Sequence, residues 1–168
     1  TEALPELLDA YGRVCAYMSF YIEPVTGAAS VDHMLPKSVN RQEIYEWRNY
    51  RLACSKMNSR KNNYQDVLDP FEIDNEWFRI ELVGYQVIPA PDLPPDIHER
   101  VQATIDRLNL NDYECLALRE EYATDFSTGE IGQDRLHRRA PFLAREIERD
   151  ANGGGAPMNE IQASVGEA

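Results

Sequence analysis

The segment from Val31 to Asn63 constrains the fold of this 168-residue chain more than any other part of the sequence. Residues 30–35 predict a strand that Pro36 helps to end, and residues 50–54 alternate enough to predict a second strand. Ser55 is a plausible N-cap for a helix that runs to about residue 65. Strand, loop, strand and helix in this order predict a compact ββα unit.

The remaining sequence predicts an α+β fold with extra short strands and a helical C-terminal half. An amphipathic helix is predicted over 2–14, an extended segment over 15–21, and short β-like runs over 71–73, 78–82 and 85–88. Three helical stretches follow. Asn111 or Asp112 is expected to cap the second of them, and Pro141 is expected to break or restart the third.

These patterns predict four successive parts of the chain. Residues 1–88 form a core that contains the N-terminal helix and the short strands. Residues 89–95, with four prolines in seven positions, form a linker or rigid spacer. Residues 96–150 form a helical part that packs on the core, and residues 151–168 form a disordered tail.

The net charge of −12 disfavours loose binding to a polyanion, but the charge is distributed unevenly. Residues 37–61 carry a local charge of +5, whereas residues 65–168 carry −13. A basic segment therefore lies within an acidic protein. The acidic part is explained equally well by solubility and by a docking surface for a basic partner.

Several classes of protein are excluded by composition. No stretch of apolar residues is long enough for a transmembrane helix, and no signal-peptide pattern opens the sequence. The three cysteines, Cys15, Cys54 and Cys115, argue against a disulfide scaffold and are compatible with a reducing compartment. We therefore expect a cytoplasmic protein that does not contact a membrane.

Residues 31–63 contain side chains suited to the hydrolysis of a phosphodiester. Asp32 and the amide of Asn58 can supply two oxygen ligands to a hard divalent ion, one from a strand and one from the facing helix. A neutral imidazole such as that of His33 is suited to deprotonating water at physiological pH. Neighbouring side chains on a strand point to opposite faces, so Asp32 and His33 reach one site only if the strand is twisted or ends there.

Three basic side chains near this pattern are candidates for phosphate contacts. Lys37, Arg60 and Lys61 are placed to bind the phosphates that flank a scissile bond, although they could instead be solvated surface charges. Trp47, Tyr45 and Leu52 are expected in the core.

Asp32-His33, Asn49 and Asn58 resemble the HNH (ββα-metal) endonuclease motif. The surrounding DHMLPKS, YEWRNYRLAC and NSRKN resemble the subgroup that serves as effectors in bacterial anti-phage systems, such as Septu and retron-associated HNH proteins. The strong match covers roughly residues 15–70, and residues 105–112 resemble the subgroup more weakly.

The resemblance implies a role for each of these residues. Asp32 and Asn58 would bind the metal, and His33 would be the general base. Asn49 would hydrogen-bond the loop backbone and hold His33 in orientation. The asparagine at the third family position favours Mg²⁺ or Mn²⁺ over a softer metal, and the subgroup often works beside an ATPase partner.

The sequence departs from the family at one position of each zinc-binding pair. Many HNH proteins carry two CxxC pairs that together bind a structural zinc, but here the pairs are Cys15 with Met18 and Cys54 with Met57. Thioether is a poor zinc ligand, and two thiolates do not close a structural site. We therefore expect these four side chains to pack as an apolar plug without structural zinc.

Together these features predict a metal-dependent HNH endonuclease with little sequence specificity that cleaves DNA and works with an ATPase partner. An RNA-cleaving, toxin-like nuclease acting on tRNA is one alternative. A catalytically silent interaction subunit, with acidic helices that dock a partner, is another.

Overall fold

The computed structural model describes residues 3–35 and 46–153, and in these ranges the fold is α+β, as predicted. The strands are β1 (Ala29–His33), β2 (Tyr50–Cys54), β3 (Phe78–Ile80) and β4 (Val87–Pro89). The helices are α1 (Ala3–Ala10), α2 (Ser55–Lys61), α3 (Pro95–Leu108), α4 (Tyr113–Thr128), α5 (Gln133–Arg139) and α6 (Pro141–Ala151). None of the described helices is long and apolar enough to cross a membrane.

The predicted ββα unit is present. β1 and β2 pair antiparallel, with Asp32 opposite Arg51 and His33 opposite Tyr50. A short 3-10 turn (Trp47–Asn49) leads into β2, and α2 begins at the residue after β2 ends. Both α1 and α2 contact the two strands, which explains why four of the five residues of β2 are buried. The hairpin of the unit is thus packed against two helices.

The C-terminal half packs on this unit through a continuous hydrophobic core. Leu7 of α1, Leu52 of β2, Val101 of α3 and Leu143 of α6 belong to the same buried cluster. β3 and β4 form a second antiparallel hairpin, which contacts α3 and α6. Burial of these side chains removes apolar surface from water and so stabilises the contact between the two halves.

Local chemistry explains the helix ends in this half. The side chain of Asp112 caps α4 by accepting a hydrogen bond of 2.7 Å from the Cys115 amide, which confirms one of the two predicted caps. Gly129, with a φ of +81°, ends α4 in the left-handed conformation that favours glycine. Pro141 starts α6 directly after α5, as the sequence predicts.

Several sequence-based expectations are wrong in detail. Residues 71–73 form a turn instead of a strand, because the Asp69 carboxylate accepts a hydrogen bond from the Phe71 amide. α1 ends at Ala10, and the positive φ of Gly12 and of Arg13 prevents continuation of the helix. In the segment 15–21, which was predicted to be extended, residues 16–18 form a turn and Tyr21 makes an isolated antiparallel bridge to Val14.

The remaining differences concern α2 and Trp47. α2 ends at Lys61, four residues early, where Asn62 adopts a φ of +48°. Trp47 was expected in the core but is 47% exposed, whereas Leu52 is fully buried as expected.

The buried Arg51 of β2 forms an ion pair with Asp69, which lies in the segment after α2. Arg51 is 3% exposed, and its Nε donates a hydrogen bond of 2.7 Å to Asp69 while a second nitrogen pairs with the same carboxylate. The guanidinium also donates to the carbonyls of Arg48 and Tyr50 and lies 3.9 Å from the ring centroid of Phe71. Such a buried charge is tolerated because its partners are all in place.

We predict that Asp69→Asn lowers the free energy of unfolding by about 3–5 kcal/mol, because it leaves the Arg51 charge buried without its counter-charge. Urea unfolding followed by circular dichroism measures the change. The matched control is Asp66→Asn, which breaks the exposed Asp66–Arg107 pair and should have a much smaller effect. Equal losses in the two variants would contradict this account of Arg51.

Candidate functional site

Asp32 is the centre of a buried polar cluster between β1 and α2. Its carboxylate is 3% exposed and faces the Lys61 ammonium, which lies 3.3 Å from Oδ1 and 3.1 Å from Oδ2. The Tyr17 hydroxyl donates a further hydrogen bond to Oδ2. Burial and then the adjacent Asp32 charge raise the pKa of Tyr17 well above its ordinary value, so this hydroxyl stays protonated as a donor.

Lys61, the last residue of α2, is completely buried. Besides Asp32, its ammonium donates a hydrogen bond of 2.9 Å to the backbone carbonyl of His33. The end of α2 is thereby fixed to the end of β1. This position does not suit the predicted contact with substrate phosphate, because no surface of Lys61 is exposed for a phosphate to reach.

Asn58 lies one turn before Lys61 and faces the same strand. Its amide nitrogen donates a hydrogen bond of 3.1 Å to the Ser30 hydroxyl, and Ser30 precedes Asp32 by two residues on the same face of β1. Since this bond uses the nitrogen, the amide oxygen keeps its lone pairs for another partner. Asp32 and Asn58 therefore both project into the space between β1 and α2.

His33 is the final residue of β1, where it is partly buried. Its ring packs edge-to-face against Tyr50, its cross-strand neighbour, with the ring centroids 5.1 Å apart. The chain bends at the next two residues. The strand thus ends at His33, which is one of the two conditions under which Asp32 and His33 can reach one site.

Asn49 holds the backbone that follows His33. Its Oδ1 accepts a hydrogen bond of 2.7 Å from the Leu35 amide, and its Nδ2 donates one of 3.3 Å to the Leu35 carbonyl. The Asn49 carbonyl also accepts from the Met34 amide at 2.9 Å. This side chain is 4% exposed, so the amide–amide pair is shielded from water. The contact is of the loop-backbone type that the family resemblance implied for Asn49.

Arg60 is engaged in an internal ion pair. Its guanidinium pairs with Asp112 and donates hydrogen bonds of 3.0 Å to the carbonyls of Leu108 and Asn109. These contacts fix α2 to the junction between α3 and α4. Phosphate contact by Arg60 stays a prediction, and it would have to share a charge that Asp112 already neutralises. Lys37 lies outside the described residues.

The four side chains that the resemblance aligns with zinc-binding pairs lie in or against the core. Cys15 and Met57 belong to the buried cluster, and Met18 and Cys54 pack against it. The two sulfur atoms of Cys15 and Cys54 are 3.9 Å apart. In the described ranges no three or more His, Cys, Asp or Glu side chains group as a metal site. This packing agrees with the expected plug, while zinc content stays a prediction.

Cys15 and Cys54 differ in their electrostatic surroundings. The Cys15 thiol donates to Cys54 and so lowers the pKa of Cys54 to about 6. Burial opposes this shift, and the backbone amides of Met57 and Lys56 support it. The donated hydrogen bond and burial raise the pKa of Cys15 well above its ordinary value. Burial also raises the pKa of Cys115, to about 11.

Two residues of the cluster were missed by the sequence analysis. Ser30 could have been found, because strand alternation places it on the same face as Asp32. Tyr17 could not, because it lies in a turn fifteen residues before Asp32 and no periodic pattern connects the two.

No protein-family model matches this sequence. The chain is similar to the Septu protein PtuB of Bacillus thuringiensis, with 24% identity over 113 residues. The alignment covers 66% of this chain and 41% of that protein, so the chain spans less than half of the length of this relative. The similarity supports a relation to Septu proteins.

We predict that iodoacetamide alkylates Cys54 before Cys15 and Cys115, with a rate that rises through a midpoint near pH 6, because the thiolate is the reactive form. Peptide mass spectrometry across pH measures the three rates. In Cys15→Ala the midpoint of Cys54 should move upward, since the donor is lost. A midpoint of about 8.5, the ordinary value for a thiol, in both proteins would contradict the assignment.

Proposed function

We propose that this chain is a metal-dependent HNH endonuclease that hydrolyses phosphodiester bonds of DNA in anti-phage defence. The observation that carries the proposal is the placement of Asp32 and Asn58 on facing surfaces of β1 and α2, with His33 beside Asp32 at the end of the strand. The similarity to a Septu protein supports the role in defence.

The donor set fits a hard divalent cation. The Asp32 carboxylate and the Asn58 amide oxygen are ligand types that Mg²⁺ and Mn²⁺ favour, with water completing the shell. In this structure the Lys61 ammonium contacts both oxygens of Asp32, so a divalent ion would share the carboxylate with Lys61 or displace it. When bound, such an ion would neutralise charge on the phosphate and on the departing oxygen.

The protein's own side chains then have separate tasks. The neutral imidazole of His33 accepts a proton from a water molecule while the water oxygen attacks phosphorus and the bond from phosphorus to the leaving oxygen breaks. Asn49 positions this base indirectly, since its two hydrogen bonds to Leu35 fix the chain directly after His33. Packing of the His33 ring against Tyr50 restricts its orientation further.

The described part of the basic segment, residues 46–61, is largely neutralised in the structure. Four of its cations pair with carboxylates: Arg51 with Asp69, Lys56 with Asp112 and Glu114, Arg60 with Asp112, and Lys61 with Asp32. The charge offered to a nucleic acid is therefore smaller than the sequence count of +5 suggests. This supports a protein partner, such as an ATPase subunit, that contributes nucleic-acid binding.

The same neutralisation favours a second candidate function, a catalytically silent interaction subunit. In that case the polar cluster at Asp32 would serve only to hold the ββα unit together. The two candidates differ in whether His33 is needed for cleavage. An RNA substrate such as tRNA is distinguished from DNA by the same assay.

We predict that the protein, assayed with Mg²⁺ or Mn²⁺ and with its co-purified partner, nicks plasmid DNA and that His33→Ala slows nicking by about 10²–10⁴-fold, the usual contribution of a general base. The rate is measured from conversion of supercoiled to open-circular plasmid. His137→Ala is the matched control and should keep full activity, because His137 pairs with Glu148 on the surface of α5.

Equal rates of nicking by wild type and His33→Ala would contradict the assignment of His33 as the general base. Absence of cleavage of plasmid, tRNA and total RNA, with the partner and both metals present, would support the silent subunit. Cleavage of RNA alone would correct the substrate and keep the reaction type.

A further inference from the structure

A cavity of about 390 Å³ is bounded by β3, β4, α3, α4 and α6. Its volume is in the range of about 300–1,000 Å³ that small-molecule sites occupy. Tyr17, whose hydroxyl binds Asp32, forms part of its wall. Most of the remaining wall is apolar and includes Leu68, Phe78 and Leu108.

A buried cation lies in this wall. Arg119 is 1% exposed, and its guanidinium donates hydrogen bonds of 3.0 Å to the Tyr85 carbonyl and 2.8 Å to the Leu110 carbonyl. Both partners are neutral, and no described carboxylate pairs with Arg119. Burial accordingly lowers the pKa of Arg119, although the group remains charged at neutral pH. The charge of Asp112 acts on Arg119 from a distance and opposes the effect of burial. The guanidinium is therefore a buried cation with neutral hydrogen-bond partners, which an anion in the cavity would stabilise.

The other charged residues near the cavity do not pair with Arg119. Arg145 also lines the cavity, and its Nε shares the buried Glu146 carboxylate with Arg79 and Arg149, at 3.3, 2.6 and 3.5 Å respectively. Arg149 has a second and closer partner in Glu76, whereas Glu146 is the carboxylate paired with Arg145. Asp74 is the acidic residue of the lining, and its Oδ1 accepts from the Glu76 amide.

We propose that this cavity binds a small organic anion, a phosphate or carboxylate joined to an apolar body. The anionic group would pair with Arg119 and Arg145, whose planar donors match both kinds of oxyanion. The apolar body would lie against Leu68, Phe78 and Leu108. This site is separate from the one at Asp32 and does not depend on nuclease activity.

Isothermal titration of the full chain with four probes tests the proposal. Phenyl phosphate and benzoate carry both features of the ligand, inorganic phosphate carries only the charge, and phenol carries only the ring. We expect saturable binding of at least one of the first two, about tenfold or more tighter than the single-feature probes, because only they combine the charge-assisted hydrogen bonds with burial of the ring. The preferred probe then identifies the anionic group.

Variants locate the binding on the cavity. Arg145→Gln, at a partly exposed position, should weaken binding of the preferred probe by about tenfold, and Arg119→Lys should weaken it similarly because the planar fork is lost. Arg107→Gln, which alters an exposed pair elsewhere, is the control and should bind as wild type. Circular dichroism verifies that each variant is folded.

Absence of saturable binding by phenyl phosphate and by benzoate at millimolar concentration would overturn the proposal. So would equal affinity in wild type and Arg145→Gln. Because the readout is binding, a protein without nuclease activity would still give a clear answer.

Discussion

The buried ion pair between Lys61 and Asp32 is the interaction on which the rest of the candidate site depends. A lysine is almost never fully buried unless its charge is paired, and breaking such a pair costs about 3–5 kcal/mol. The ammonium also binds the His33 carbonyl, so a single group fixes the position of both residues of the Asp-His pair. The pair thereby sets the separation between β1 and α2.

Tyr17 connects this cluster to the body of the protein. Its hydroxyl binds Asp32, while its side chain forms part of the wall of the cavity that contains Arg119. Arg60 makes the second connection, from α2 to the junction of α3 and α4. The helical C-terminal half therefore contacts the polar cluster of the ββα unit at two places, through Tyr17 and through Arg60. At the second place it neutralises a positive charge of the unit, because Arg60 pairs with Asp112.

The ββα unit could be predicted from sequence because its elements follow local patterns, such as strand alternation and the turn signals around it. The positions of Arg60 and Lys61 could not, since their partners lie 29 residues or more away along the chain. The sequence predicts that both side chains are exposed cations. Their contacts with Asp112 and Asp32 form only in the folded structure. The strand prediction for residues 71–73 is wrong for a different reason. The β-like composition favours a strand, but the hydrogen bond from the Phe71 amide to the Asp69 carboxylate stabilises a turn.

Direct measurement of Mn²⁺ binding by electron paramagnetic resonance tests the central claim, that Asp32 and Asn58 form a hard-cation site. We predict that wild type binds a single Mn²⁺ per chain, that Asn58→Ala weakens binding, and that Asp32→Asn abolishes it, with Glu114→Gln on the surface as an unaffected control. Circular dichroism confirms folding of each variant. Equal Mn²⁺ binding by wild type and by folded Asn58→Ala and Asp32→Asn would contradict the account.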